Sequence, residues 1–222
     1  MNVSGQKSFR GQTIHFLGTV TETARKDAAK RELAANRRLV AEHLNDWLQT
    51  KAGMQTSKKA GSGAIICDFD DTLVNDKEKV DDGFESIRKA IVEASLVFSL
   101  YIVTARPMSD HRKVVEKLRA LGFAVAPSHL FMMTDDDYFQ KGNRKVALAA
   151  RTFKWESFLK IQKKENGNVL LRMGDRLWDI LPEPEKHERA FEKHIDQRQA
   201  FMFLDNQSKC LCVKLPEAPP EP

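Results

Sequence analysis

The stretch Ala64-Ile65-Ile66-Cys67 runs directly into Asp68-Phe69-Asp70-Asp71-Thr72. A short apolar run containing β-branched residues favours a strand buried on both faces. Three carboxylates at the end of such a strand are unfavourable by several kcal/mol or more unless they bind a cation or share protons. The segment therefore asks for a metal ion. Oxygen donors of this kind suit Mg2+, which takes one or two carboxylates together with water and phosphate oxygens.

Downstream of Ala64, apolar runs of strand length alternate with amphipathic stretches of helix length. Residues 64–69, 96–104, 129–134 and 169–173 read as strands. Helices are expected over 109–121, closed by Gly122 as a left-handed cap, and over 155–164. A further helix carrying Phe84, Ile87 and Ile91 is expected to start at Asp82, which forms a capping-box-like pair with Glu85. Such alternation implies right-handed crossovers and an α/β fold: an open, Rossmann-like parallel sheet with helices on both faces. Ligands in these sheets sit beyond the carboxyl ends of the strands. No segment is long enough for a large inserted cap.

Residues 1–60 differ in character, with 11 Lys/Arg against 5 Asp/Glu, which leaves 25 against 26 for residues 61–222. Between Thr23 and Thr50, Ala29, Leu33, Val40, Leu44 and Trp47 recur at helical spacing, while Lys30, Arg31, Arg37 and Arg38 fall largely elsewhere. Ile14, Phe16 and Leu17 suit an edge strand or a packed arm. Residues 51–63 have a linker's content of Gly, Ser and Lys. The expected organisation is a basic helical extension over 1–60, a main domain over 61–215 and a disordered Pro-rich tail over 216–222. A basic extension can meet nucleic acid or acidic membrane, or can be a helix with a solvated face.

Cys67, Cys210 and Cys212 are an odd set without the partners of a zinc site, which argues for a reducing compartment. No apolar segment of a signal peptide follows Met1. The longest nearly apolar stretch, 94–105, falls short of the roughly 20 residues that span a bilayer. A soluble, cytoplasmic protein is expected.

Two further strands end in polar chemistry. Leu100-Tyr101-Ile102-Val103-Thr104-Ala105-Arg106 supplies a hydroxyl able to donate to a phosphoryl oxygen and a guanidinium able to clamp it with two N–H groups. Val169-Leu170-Leu171-Arg172-Met173-Gly174-Asp175 again places an aspartate after an apolar strand, with Asp179 following. Singly, such residues often cap a turn or pair on the surface. Together, and in this order, they bring three strand ends to one polar site.

Asp68-x-Asp70-x-Thr72-Leu73, the strand ending in Thr104, a later lysine and Gly174-Asp175-x-x-x-Asp179 resemble the four-motif signature of haloacid dehalogenase superfamily phosphohydrolases. The resemblance covers roughly residues 64–180, and its last motif is most similar to the acid-phosphatase-like branch. It implies a magnesium-dependent phosphomonoester hydrolase in which Asp68 becomes an aspartyl-phosphate and Asp70 is the general acid/base. Thr104 and a lysine would complete the catalytic set, with Thr72 and Arg106 at the substrate and Asp71 either beside them or only a turn residue. The cation would be held by Asp68, the Asp70 main-chain carbonyl, Asp175 and Asp179. Lys154, 21 residues before Asp175, suits the lysine position better than Lys145 or Lys160.

The implied partner is a phosphorylated substrate, either a small ester or an exposed phosphate of a macromolecule. With the basic extension, a polynucleotide 3′-phosphatase is an alternative. A catalytically idle binding or storage protein is another, and the intact Asp68 and Asp70 count against it.

Overall fold

The computed structural model describes residues 5–9, 12–19, 26–55, 63–74, 83–139, 143–180, 199–205 and 209–216. Among these residues, eight strands lie in one sheet: β1 (Gly5–Phe9), β2 (Gln12–Thr19), β3 (Ala64–Cys67), β4 (Ser99–Pro107), β5 (Leu130–Met133), β6 (Val169–Gly174), β7 (Gln199–Leu204) and β8 (Leu211–Lys214). Their order is β1-β2-β7-β8-β6-β3-β4-β5. The run β8-β6-β3-β4-β5 is parallel, whereas β7, β2 and β1 continue the sheet in antiparallel fashion. Six helices accompany it: α1 (Lys26–Gln55), α2 (Phe84–Ser95), α3 (His111–Ala120), α4 (Asp135–Phe139), α5 (Asn143–Lys164) and α6 (Leu177–Ile180). The fold is mixed α/β, with a mostly parallel central sheet between helices.

Side chains alternate across a strand, and β3 sorts its residues accordingly. Ile65 and Cys67 join a core with Val40, Leu44 and Leu48 of α1, Ile87 and Ile91 of α2, and Val114 and Leu118 of α3. Ala64 and Ile66 face the other way, onto Phe158 and Ile161 of α5. A strand covered on both faces reads as an uninterrupted apolar run, as β3 does. All three cysteines are buried and unpaired with one another. Among the described residues no helix is long and apolar enough to cross a membrane.

Several boundaries differ from the sequence expectation. α2 starts at Phe84 behind Gly83, which sits at φ +83° with no side-chain cap, and Asp82 lies outside the described residues. A Cβ on Gly83 would come 2.6 Å from the Ala34 carbonyl oxygen, so a glycine lets α2 begin against α1. Gly122 does close α3: at φ +85° it lets its own N–H reach Arg119 O and the Phe123 N–H reach Leu118 O. The 51–63 linker is shorter than expected because α1 continues to Gln55, and α5 begins well before residue 155.

The N-terminal segment is more deeply joined to the fold than its composition suggests. Its strands β1 and β2 extend the sheet beyond β7. Arg37, expected on a solvated face, is 1% exposed, with its guanidinium 3.5 Å from the centre of the Phe84 ring. Leu44 is fully buried between this helix and the sheet, so Leu44→Ala is expected to lower unfolding stability by about 2–5 kcal/mol. Chemical denaturation checks this; a loss below about 1 kcal/mol would mean that α1 is dispensable to the core.

Candidate active site

The polar site grows from the turn that follows β3. Phe69 is buried, and its carbonyl accepts the N–H groups of Leu73 and Val74, each at 3.0 Å. The Asp71 N–H donates to Val74 O at 2.7 Å, and Asp71 itself is exposed at φ +51°, the conformation of a turn residue. Anchoring Phe69 in the core leaves Asp68 and Asp70 on the opposite side of the chain.

Asp68 is fixed at the end of β3, its N–H donating to Met173 O of β6 at 2.9 Å. Lys154 Nζ lies 2.8 Å from Asp68 Oδ1 and 2.5 Å from Asp179 Oδ1. Helical spacing explains the approach: Lys154, Phe158 and Ile161 share the face of α5 that lies on the sheet, and the lysine stands at its carboxyl end. Lys160 is exposed on another face, and the Lys145 side chain lies outside the described residues. Asp175 follows β6, paired with Arg176 at 3.2 Å. The Arg176 N–H donates to Asp179 Oδ2 at 3.0 Å.

Carboxylate oxygens of Asp68, Asp175 and Asp179 lie within 4.8 Å of one another. Burial pushes the Asp68 carboxyl well above its ordinary range, opposed by Lys154 and reinforced by Asp179 and Asp175. Asp175 is pushed up to about 7, first by burial and then by Asp179. Burial works to lower Lys154, but Asp179 and Asp68 reverse this and hold its ammonium protonated.

The trio fits a divalent cation on three observations. Its donors are all hard oxygens, as magnesium and similar ions require. Asp68 Oδ1 is buried with the Lys154 ammonium 2.8 Å away, and a carboxylate oxygen with one such contact retains acceptor capacity. Gly174 also keeps the space clear, since a Cβ there would overlap the Asp179 side chain. The Asp70 carboxylate lies outside the trio.

Asp70 belongs instead to a second constellation at the mouth. Arg106 grips its carboxylate with Nε at 2.9 Å and Nη2 at 2.6 Å from Oδ1. Thr104 Oγ1 donates to Asp70 Oδ2 at 3.3 Å and accepts the Arg106 N–H at 3.2 Å. Thr72 is fully buried, with no hydrogen-bond partner for its hydroxyl among the described residues. Trp155 packs on Phe158, and Trp178 lies beneath Arg151. The structure thus brings Asp68, Lys154, Asp175 and Asp179 together, and Asp70, Thr104 and Arg106 together.

A family model of haloacid dehalogenase-like hydrolases matches residues 65–208. The chain belongs to this family. No curated protein matches it. The matched segment of this hydrolase contains every residue of both constellations.

Two residues of the site escaped the sequence reading. Arg176 was hidden among surface-type residues after the strand, with no signal of its pairing. Arg172, buried beside Asp179 and donating to its main-chain oxygen at 3.2 Å, did leave a signal: it interrupts an apolar strand.

The raised Asp175 value has a consequence for stability. Between its ordinary value of 3.8 and about 7, the native protein keeps a proton that the unfolded chain has released. The stability this group contributes is therefore present at low pH and lost as pH rises through that window. With a chelator present, Asp175→Asn is expected to gain on the order of 2–4 kcal/mol over wild type between pH 4 and pH 8. Denaturation curves at both pH values test this, and parallel pH dependence in the two proteins would contradict it.

Proposed function

We propose that this hydrolase cleaves phosphomonoesters through an aspartyl-phosphate on Asp68, with Asp70 as general acid/base and a magnesium ion held by Asp68, Asp175 and Asp179. One observation carries the proposal: a strand-end carboxylate, Asp68, stands against a buried lysine at 2.8 Å and beside two further carboxylates, with a second acid two residues on. The run Gly174-Asp175 to Asp179 favours the acid-phosphatase-like branch.

An Asp68 oxygen attacks phosphorus, and the P–O bond to the leaving group breaks as Asp70 gives that oxygen a proton. Water then attacks the aspartyl-phosphate, Asp70 takes a proton from it, and inorganic phosphate leaves. Dividing one difficult displacement into two easier ones is the advantage of a carboxylate nucleophile. Positioned proton transfer adds roughly 10²–10⁴ in rate.

The structure's own residues prepare these steps. Lys154 orients Asp68 and offers its cation to the phosphoryl oxygens. Arg106 and Thr104 hold Asp70 in place, and Arg106 has the two-pronged geometry that binds phosphate. Bound magnesium would supply charge neutralisation between Asp68 and an anionic phosphate. Polyanion steering by α1 has less support, because its apolar stripe is committed to the core and Arg37 is buried against Phe84.

Two substitutions test the assignment. Asp68→Asn keeps the side-chain volume and is expected to leave a folded protein with under about 1% of wild-type turnover of an aryl phosphate, since the nucleophile is gone. Lys154→Ala removes a preorganised charge and is expected to cost about 2.7–4 kcal/mol in kcat, or 10²–10³-fold. Wild-type-like turnover by folded Asp68→Asn would place the nucleophile elsewhere.

A further inference from the structure

At the mouth of the site, the guanidinium of Arg106 holds a carboxylate of its own chain in the way it would hold a phosphate. Nε lies 2.9 Å from Asp70 Oδ1 and 3.1 Å from Oδ2, and Nη2 lies 2.6 Å from Oδ1. Two adjacent N–H groups on one anion is the arrangement by which arginine binds carboxylate and phosphate alike. Both partners reach the surface, with side chains 24% and 43% exposed. Asp110, paired with Lys113, also lies in the field of Arg106.

The two partners are not equally fixed. The Arg106 Cζ lies 5.1 Å from the centre of the ring of Phe69, which is buried, and the Arg106 N–H donates to the Thr104 hydroxyl at 3.2 Å. The Asp70 main chain is held by a bridge to Val74, so its carboxylate can leave by side-chain rotation, a motion that exposed residues complete in picoseconds to nanoseconds. Its contact with Thr104 Oγ1, at 3.3 Å, is long for a hydroxyl donor and adds little hold. A phosphomonoester carries about 1.5–2 negative charges near pH 7 against the one of a carboxylate. It is therefore the stronger ligand for the same fork.

We infer that Arg106 serves two anions in turn: Asp70 fills its fork until the phosphoryl group of a substrate displaces it. Asp70 is thereby a competitor for the phosphate clamp as well as a reacting group. It turns to the leaving group once the phosphate has taken its place, which confines its action to a bound substrate. The exchange requires the fork on Asp70 to open, and other contacts of Arg106 can persist through it. The inference rests on the assignment of the site to phosphomonoesters. A protein that must first break this pair binds phosphate more weakly, in proportion to the fraction of time that the fork stands open.

The test is calorimetric titration of inorganic phosphate, with Mg2+ present, into the full chain as wild type, Asp70→Asn, Arg106→Gln and the double variant. Asp70→Asn keeps the shape and removes the competitor, and is expected to bind phosphate about 3–10-fold more tightly than wild type. In the Arg106→Gln background the same change is expected to gain less than about twofold, since no fork is there to release. Repulsion of phosphate by Asp70 through space would add equally in both backgrounds, so the difference between them isolates the exchange. Equal gains in the two backgrounds, or no gain from Asp70→Asn in the wild-type background, would overturn the exchange and leave the phosphomonoester reading standing. Failure of wild type and Asp70→Asn alike to bind phosphate would overturn that reading, and the exchange with it. Should Arg106→Gln not fold, Arg106→Met, which keeps an apolar stem beside Phe69, takes its place in the cycle.

Discussion

Like charges buried together are the constraint on which the rest of this molecule depends. Asp68, Asp175 and Asp179 bring carboxylate oxygens within 4.8 Å of one another in a largely buried place. Such an arrangement persists only if positive charge is supplied and the backbone leaves no freedom to separate. Lys154 meets two of the three directly, at 2.8 and 2.5 Å. Arg176 meets the third, Asp175, at 3.2 Å, and burial raises the proton affinity of Asp68 and Asp175.

The fold provides the rigidity that the constraint demands. The parallel strands β3, β6 and β4 end side by side, so the residues that follow them converge without long loops. Helices α1, α2 and α3 close one face and α5 the other, which locks β3 between two packed layers. The same α5 face that packs Phe158 and Ile161 on the sheet delivers Lys154 to its carboxyl end. Packing and chemistry thus use one helical surface. The Asp70 carboxylate stands apart from the trio, held at the mouth by Arg106 and Thr104.

Much of this was legible in the sequence because it follows from local patterns. The apolar run into Asp68, the strand ending in Thr104 and Arg106, and the run into Asp175 each announce a strand and its polar end. Long-range placement was not legible. Ile14, Phe16 and Leu17 suit an edge strand or a packed arm, but nothing local says that this strand joins the sheet through β7, or that β7 and β8 lie between it and β6, since short strands carry a weak signal. The capping reading at Asp82 lies outside the described residues, and what the sequence did not show is the close approach of Ala34 to Gly83, a tertiary contact that requires a glycine directly before α2. Helical periodicity alone puts Arg37 off the apolar stripe, whereas the ring of Phe84, far along the chain, covers it. The choice of Lys154 over Lys160 depended on which face of α5 meets the sheet, and spacing from Asp175 only approximated that.

The central claim is that phosphorus becomes bonded to Asp68. Its most direct test is to quench the wild-type protein in acid during turnover of an aryl phosphate with magnesium, and to locate the phosphoryl group by mass spectrometry of the resulting peptides. The expected result is a phosphoryl group on Asp68, present in wild type and absent when magnesium is chelated. A phosphoryl group on another residue, or turnover of the ester with no phosphorylated protein under conditions that trap acyl-phosphates, would contradict the mechanism.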